Sequence, residues 1–73
     1  MAEVTVRSEC AAAVLKLGVS VGDQVQADQE LLMLESMKTE IPVSAPMAGR
    51  VLSIAVAEGD TIAERQALLV LET

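Results

Sequence analysis

Hydrophobic residues along this chain fall in short runs, either alternating with polar residues or fully apolar for a few positions. Val4 and Val6 alternate with Glu3, Thr5 and Arg7, the period of two that marks a half-buried strand. Val51-Leu-Ser-Ile-Ala-Val56 and Leu68-Leu-Val-Leu71 are rich in strand formers, and Gly22-Asp23 and Gly59-Asp60 punctuate the sequence as turns. Pro42 and Pro46 break any helix through the middle. No segment combines a sustained 3.6-residue period with capping residues. Cys10-Ala-Ala-Ala-Val-Leu-Lys-Leu17 could pass for a helix by propensity alone, and an internal repeat decides it.

Val21 to Glu35 aligns without a gap on Glu58 to Glu72, an offset of 58 − 21 = 37 positions. Gly22, Asp23, Gln29, Leu31, Leu32, Leu34 and Glu35 recur as Gly59, Asp60, Gln66, Leu68, Leu69, Leu71 and Glu72. The same offset matches Val14, Leu15, Leu17 and Val19 with Val51, Leu52, Ile54 and Val56. The helix-like segment thus corresponds to Ala48-Gly49-Arg50-Val51, so it is read as a strand. Two copies are too few for a solenoid. The expectation is one domain over residues 1–73, all-β and pseudo-symmetric, with halves of about 4–36 and 41–73.

Between the halves lies Leu31-Leu-Met-Leu-Glu-Ser-Met-Lys-Thr-Glu-Ile-Pro-Val43. A two-residue turn at Met37-Lys38 places Ser36 opposite Thr39, Glu35 opposite Glu40, Leu34 opposite Ile41 and Leu32 opposite Val43. Cross-strand partners project to one side, so Leu32, Leu34, Ile41 and Val43 make a continuous apolar face. A slip of one residue would turn that face to water, which fixes the register. Two features of the hairpin break local rules. Tight turns favour Asn-Gly and similar pairs, because positive φ is costly for other residues, and Glu35 facing Glu40 sets like charges across the strands. Rule-breaking positions are where function is expected.

Composition narrows the possible chemistry. The 73 residues include no His, Phe, Tyr or Trp, so the core must be aliphatic and no imidazole or phenol is available as acid, base or ligand. Cys10 is the sole cysteine and has no basic residue beside it in sequence. It forms no internal disulfide, and a cytoplasmic compartment is expected. The carboxylates are scattered without metal-ligand spacing. The composition therefore points away from a catalyst acting alone. Eleven acids against five bases give a net charge of -6, opposite to what nucleic acid demands. No apolar run approaches the roughly 18 residues of a membrane span, and Met1-Ala2-Glu3 does not resemble a signal peptide.

Glu35-Ser36-Met37-Lys38, with Glu40-Ile41-Pro42-Val43 and Ala45-Pro46-Met47-Ala48-Gly49, resembles the biotinyl domain of biotin-dependent carboxylases, over nearly the whole chain. The resemblance implies a flattened barrel-sandwich (the barrel-sandwich hybrid, or hammerhead) of two four-stranded antiparallel sheets. It implies covalent biotin on Lys38, with Met37 and Glu35 read by the attaching ligase. Three departures stand out. Thr39 occupies a position where the family commonly has a second Met. Ala12 stands where its repeat partner is Gly49, so a residue with a Cβ is expected in a first-half turn. The protruding loop of some bacterial carriers is missing.

The function implied is that of a biotin carboxyl carrier, a non-catalytic part of a biotin-dependent carboxylase, expected to be of the acyl-CoA (acetyl-CoA) carboxylase type, with acyl-CoA, urea and keto acids all open as acceptors. Its implied partners are biotin protein ligase, biotin carboxylase and carboxyltransferase, without nucleic acid or membrane. The chain reads either as a free-standing carrier, which Met1 favours, or as a domain excised from a longer polypeptide. A lipoyl carrier shares the fold, but it usually has an acidic residue immediately before the lysine, where this chain has Met37. An unmodified interaction module would usually lack the Met-Lys pair. Lys16, the other lysine, sits mid-strand opposite Ser53 in the repeat and reads as a solubilising charge.

Overall fold

The computed structural model describes residues 2–73; Met1, read above as favouring a free-standing carrier, lies outside them. The described residues form eight strands and no helix: β1 (Glu3–Arg7), β2 (Ala12–Leu17), β3 (Gln24–Val25), β4 (Glu30–Ser36), β5 (Thr39–Ser44), β6 (Gly49–Ile54), β7 (Thr61–Ile62) and β8 (Ala67–Glu72). One antiparallel sheet has the order β1-β8-β6-β3 and the other β5-β4-β2-β7. Each sheet takes two strands from each half of the repeat, so both halves contribute to both walls of the core.

The repeat is reproduced bond by bond. Gly22 N donates to Val51 O at 2.8 Å, and Gly59 N donates to Val14 O at the same distance. Val51 N donates to Asp23 O and Val14 N to Asp60 O, each at 2.9 Å. The polar residues kept in both copies close turns. Asp23 and Asp60 each accept a backbone N–H three residues upstream, from Ser20 and Ala57, at 2.9 Å. Gln29 and Gln66 accept from Gln26 and Ala63 at 3.0 and 2.9 Å. These side chains take over bonds that backbone turns leave open. The glycines serve the same turns: Gly22 and Gly59 have φ of 95° and 92°, where a Cβ is unfavourable.

Leu31, Leu32 and Leu34, with Leu68, Leu69 and Leu71, are at most 1% exposed. Strict alternation would send one of each adjacent leucine pair outward. A register shift between Glu30 and Leu32 against β5, and its counterpart in the β1–β8 pairing, puts an extra residue into each strand. The bulge turns both neighbours inward. This detail is invisible in the apolar pattern.

The structure corrects the reading of Ala12. Ala12 and Gly49 open strands β2 and β6 rather than occupying turns, and neither has a positive φ. Gly49 answers to a close approach: a Cβ there would lie 2.5 Å from the Glu72 carbonyl oxygen. Ala12 instead pairs with Ile62 on the short edge strand β7 and stays half-buried.

The described chain measures 36 × 17 × 17 Å. The β4–β5 hairpin caps one end. The repeat carries Ser36 onto Thr73, and at the opposite end Thr73 N donates to Ala2 O at 2.9 Å while Ala2 N donates to Thr73 O at 3.2 Å.

Candidate functional site

Leu34 pairs with Ile41 and Leu32 with Val43, and both leucines are 1% exposed. Ile41 and Val43 pack against the same core from the edge strand. With that face buried, the sequence between Ser36 and Thr39, which pair across the strands, has only two residues left to reverse direction. Met37 and Lys38 therefore make the turn, at φ of 51° and 67°. Both values lie in the left-handed region, which costs a residue with a Cβ about 1–2 kcal/mol. The primed turn matches the twist of the flanking strands, so burial of the hairpin face imposes the strained geometry on two unsuited residues.

The consequence is display. Met37 is 95% exposed, and Lys38 is exposed beside it. No side-chain hydrogen bond among the described residues involves the Lys38 Nζ. The ion pair among those residues joins Arg50 to Glu72 at 3.1 Å, at the far end. Glu35 and Glu40 face each other across the strands as the pattern required, both exposed. Lys16 is exposed as well, but it lies within β2 and pairs with Met33 on β4. Exposure does not separate the two lysines; position on a projecting turn does. No group of His, Cys, Asp and Glu side chains capable of holding a metal occurs among the described residues.

The turn thus offers one primary amine, free of partners and flanked by an apolar side chain and a carboxylate pair. That donor set suits a cofactor attached through a carboxyl group by an amide bond. Sequence reasoning singled out all three residues, Lys38, Met37 and Glu35. It did not single out Arg7 and Glu9, and it gave Cys10 no role at a site; the fold brings all three to a cavity bounded by the hairpin.

The two-sheet scaffold thus presents the Lys38 amine on a strained, exposed turn, and similarity to known proteins says what class of domain carries it. The chain belongs to the biotin-requiring enzyme family, as a biotinyl domain: the family's model matches residues 2–71. Among curated proteins it is similar to the biotinylated protein TB7.3 homolog of Mycobacterium leprae, 55% identical over 38 residues, which cover 52% of this chain and 54% of that one. It is 50% identical over 38 residues to biotinylated protein TB7.3 of Mycobacterium tuberculosis, with the same coverage. It is 45% identical over 40 residues to the biotin/lipoyl attachment protein of Bacillus subtilis, 55% of each chain. The chain spans about half the length of the curated relatives it matches.

Among solved structures, 99% of the chain superposes on 6% of the urea carboxylase of Kluyveromyces lactis, with a TM-score of 0.91 and 29% identity. A single-chain, multi-domain long-chain acyl-CoA carboxylase matches 97% of the chain over 7% of its own length, with a TM-score of 0.90 and 29% identity.

Proposed function

We propose that the chain is a biotin carboxyl carrier, with biotin in amide linkage to Lys38, serving a biotin carboxylase and a carboxyltransferase. One observation carries the assignment of the site: the Lys38 amine stands exposed and unpaired on a two-residue turn fixed by the register beneath it, in a chain of the biotin-requiring family. The Lys38 nitrogen attacks the carboxyl carbon of biotin that a ligase has activated. The N–C bond forms, the activating group leaves with its electron pair, and the amine proton passes to solvent. Arg at this position would not react, because a guanidinium is too weak a nucleophile at neutral pH.

Met37 gives the ligase an apolar contact next to the amine, and Glu35 supplies a carboxylate on the adjoining strand. Attached biotin supplies a ring nitrogen that accepts and releases a carboxyl group. The chain's own part is position: a hairpin anchored by Leu32 and Leu34 keeps the attachment point at a fixed height, so ligase and partner enzymes meet a preformed shape.

The proposed setting is the cytoplasm, in keeping with a single unpaired thiol. An acyl-CoA is the proposed acceptor, with urea as the alternative, since the chain is equally identical to a long-chain acyl-CoA carboxylase and to a urea carboxylase. Transfer assays that offer acyl-CoA and urea to the loaded domain with its own transferase decide between the acceptors.

The attachment itself is tested by intact-mass measurement after co-expression with a biotin ligase, and separately with lipoylating enzymes. One biotinyl group per chain is expected, and none on Lys38→Arg. Modification of Lys16, or lipoylation without biotinylation, refutes the proposal.

A further inference from the structure

The hairpin that displays Lys38 also forms one wall of a cavity that carriage alone leaves unused. Strands β1 and β5, equivalent in the repeat, are each the edge strand of their own sheet. The two edges border an opening of about 400 Å³. Its apolar lining includes Leu34, Ile41 and Val43 from the hairpin and Val4 and Val6 from β1. Polar groups join it from the segment after β1: Arg7, Glu9 and Cys10. Arg7 is already held there, its Nη1 donating to the Arg65 carbonyl oxygen at 3.1 Å. β1 starts beside the terminal end, where Glu3 pairs with Glu72, and runs toward the turn. Arg7, Glu9 and Cys10 therefore stand at the end of the opening nearer Lys38.

We infer that this opening is a resting cradle for the biotin carried on Lys38, an inference that rests on the proposed function. Reach is sufficient. Ile41 and Pro42 follow Lys38 by three and four residues, roughly 10–13 Å along a strand. The extended lysyl-biotin arm, some ten single bonds, is on the order of 14 Å. The volume lies within the range of small-molecule pockets.

The chemistry matches on both sides of the bicycle. Its cyclic urea presents two N–H donors and a carbonyl acceptor in the manner of a peptide edge. Edge strands such as β1 and β5 present unpaired backbone N–H and C=O groups, and the Arg7 guanidinium adds donors. The sulfur-containing ring is apolar, as are the Val and Ile side chains below. Tethering raises the local concentration to about the millimolar range, so contacts too weak to bind free biotin suffice to hold the attached group. The cradle would shelter the reactive ureido edge between visits and yield it when a partner docks on the hairpin.

Cys10 makes the inference testable, because it is the sole thiol of the chain and is half-buried in the cavity wall. The full chain is prepared unmodified and biotinylated, with loading verified by intact mass. Methyl NMR spectra and the rate of Cys10 alkylation by iodoacetamide are then compared. Biotinylation is expected to shift the methyl signals of Val4, Ile41 and Val43. It is expected to slow alkylation about two- to threefold, as a cradle occupied half to two-thirds of the time by a tethered group requires. Lys38→Arg put through the same ligation reaction should show neither effect. Verified loading with shifts confined to residues 36–40 and unchanged alkylation overturns the cradle and leaves the carrier standing. Failure of Lys38 to become biotinylated overturns both.

Discussion

Met37 pays twice for its place: it adopts a φ of 51° and leaves its side chain in water. Neither serves stability, so substitution by Asn, which tolerates left-handed backbone, separates folding from recognition. Met37→Asn is expected to gain about 1 kcal/mol, or roughly 4–8 °C in Tm for a domain of this size, while slowing biotinylation. Thermal melts and ligation kinetics check the two halves of that statement; an unchanged ligation rate would show that the ligase does not read Met37. At Gly49 the outcome is reversed. Gly49→Ala drives a Cβ into the Glu72 carbonyl and should cost about 1–3 kcal/mol, the range of overpacking. A denaturant titration measures it. The strain at Met37 was legible in the sequence because the paired strands leave two residues for the turn. The need for glycine at residue 49 was not, since it arises from the approach of β8, which joins β6 only in the folded sheet.

Among the elements, the hairpin was the most legible. Its apolar face and its two-residue turn specify one register, and the pairing follows it from Ser36–Thr39 to Leu32–Val43. The repeated Gly-Asp pairs were legible as turns, but not the role of the Asp side chains. Each accepts one backbone N–H in an exposed loop. Asp23→Ala and Asp60→Ala should each cost on the order of 1 kcal/mol, the net worth of a typical hydrogen bond. The loops share no side-chain partner, so the double substitution should be additive to within about 0.5 kcal/mol. A marked departure in a chemical-denaturation cycle would mean that the two turns are coupled through the sheets. The bulges that bury both Leu31 and Leu32, and both Leu68 and Leu69, could not be read from the pattern. Alternation predicts one residue in and one out, and a shift in pairing overrides it.

At the scale of the molecule, the repeat and the sandwich are one fact. Each sheet draws strands from both halves, so the aliphatic core closes only when the two copies interlock. The same operation that relates the copies carries the hairpin end onto the end where Ala2 and Thr73 bond. The Met37-Lys38 turn and the paired Ala2 and Thr73 are thereby set apart along the 36 Å axis. The sequence on its own determined the longer strands, the pairing of β4 with β5 and the lysine at their turn, because these depend on local period, register and residue chemistry; the two-residue strands β3 and β7 carry no such pattern. Only the tertiary structure decided the bulged registers, the tight fit at Gly49 and the cavity between β1 and β5. The last two arise where segments distant in sequence meet, and the bulges where pairing departs from strict alternation; the hydrophobic pattern says which face is buried without saying what it is buried against.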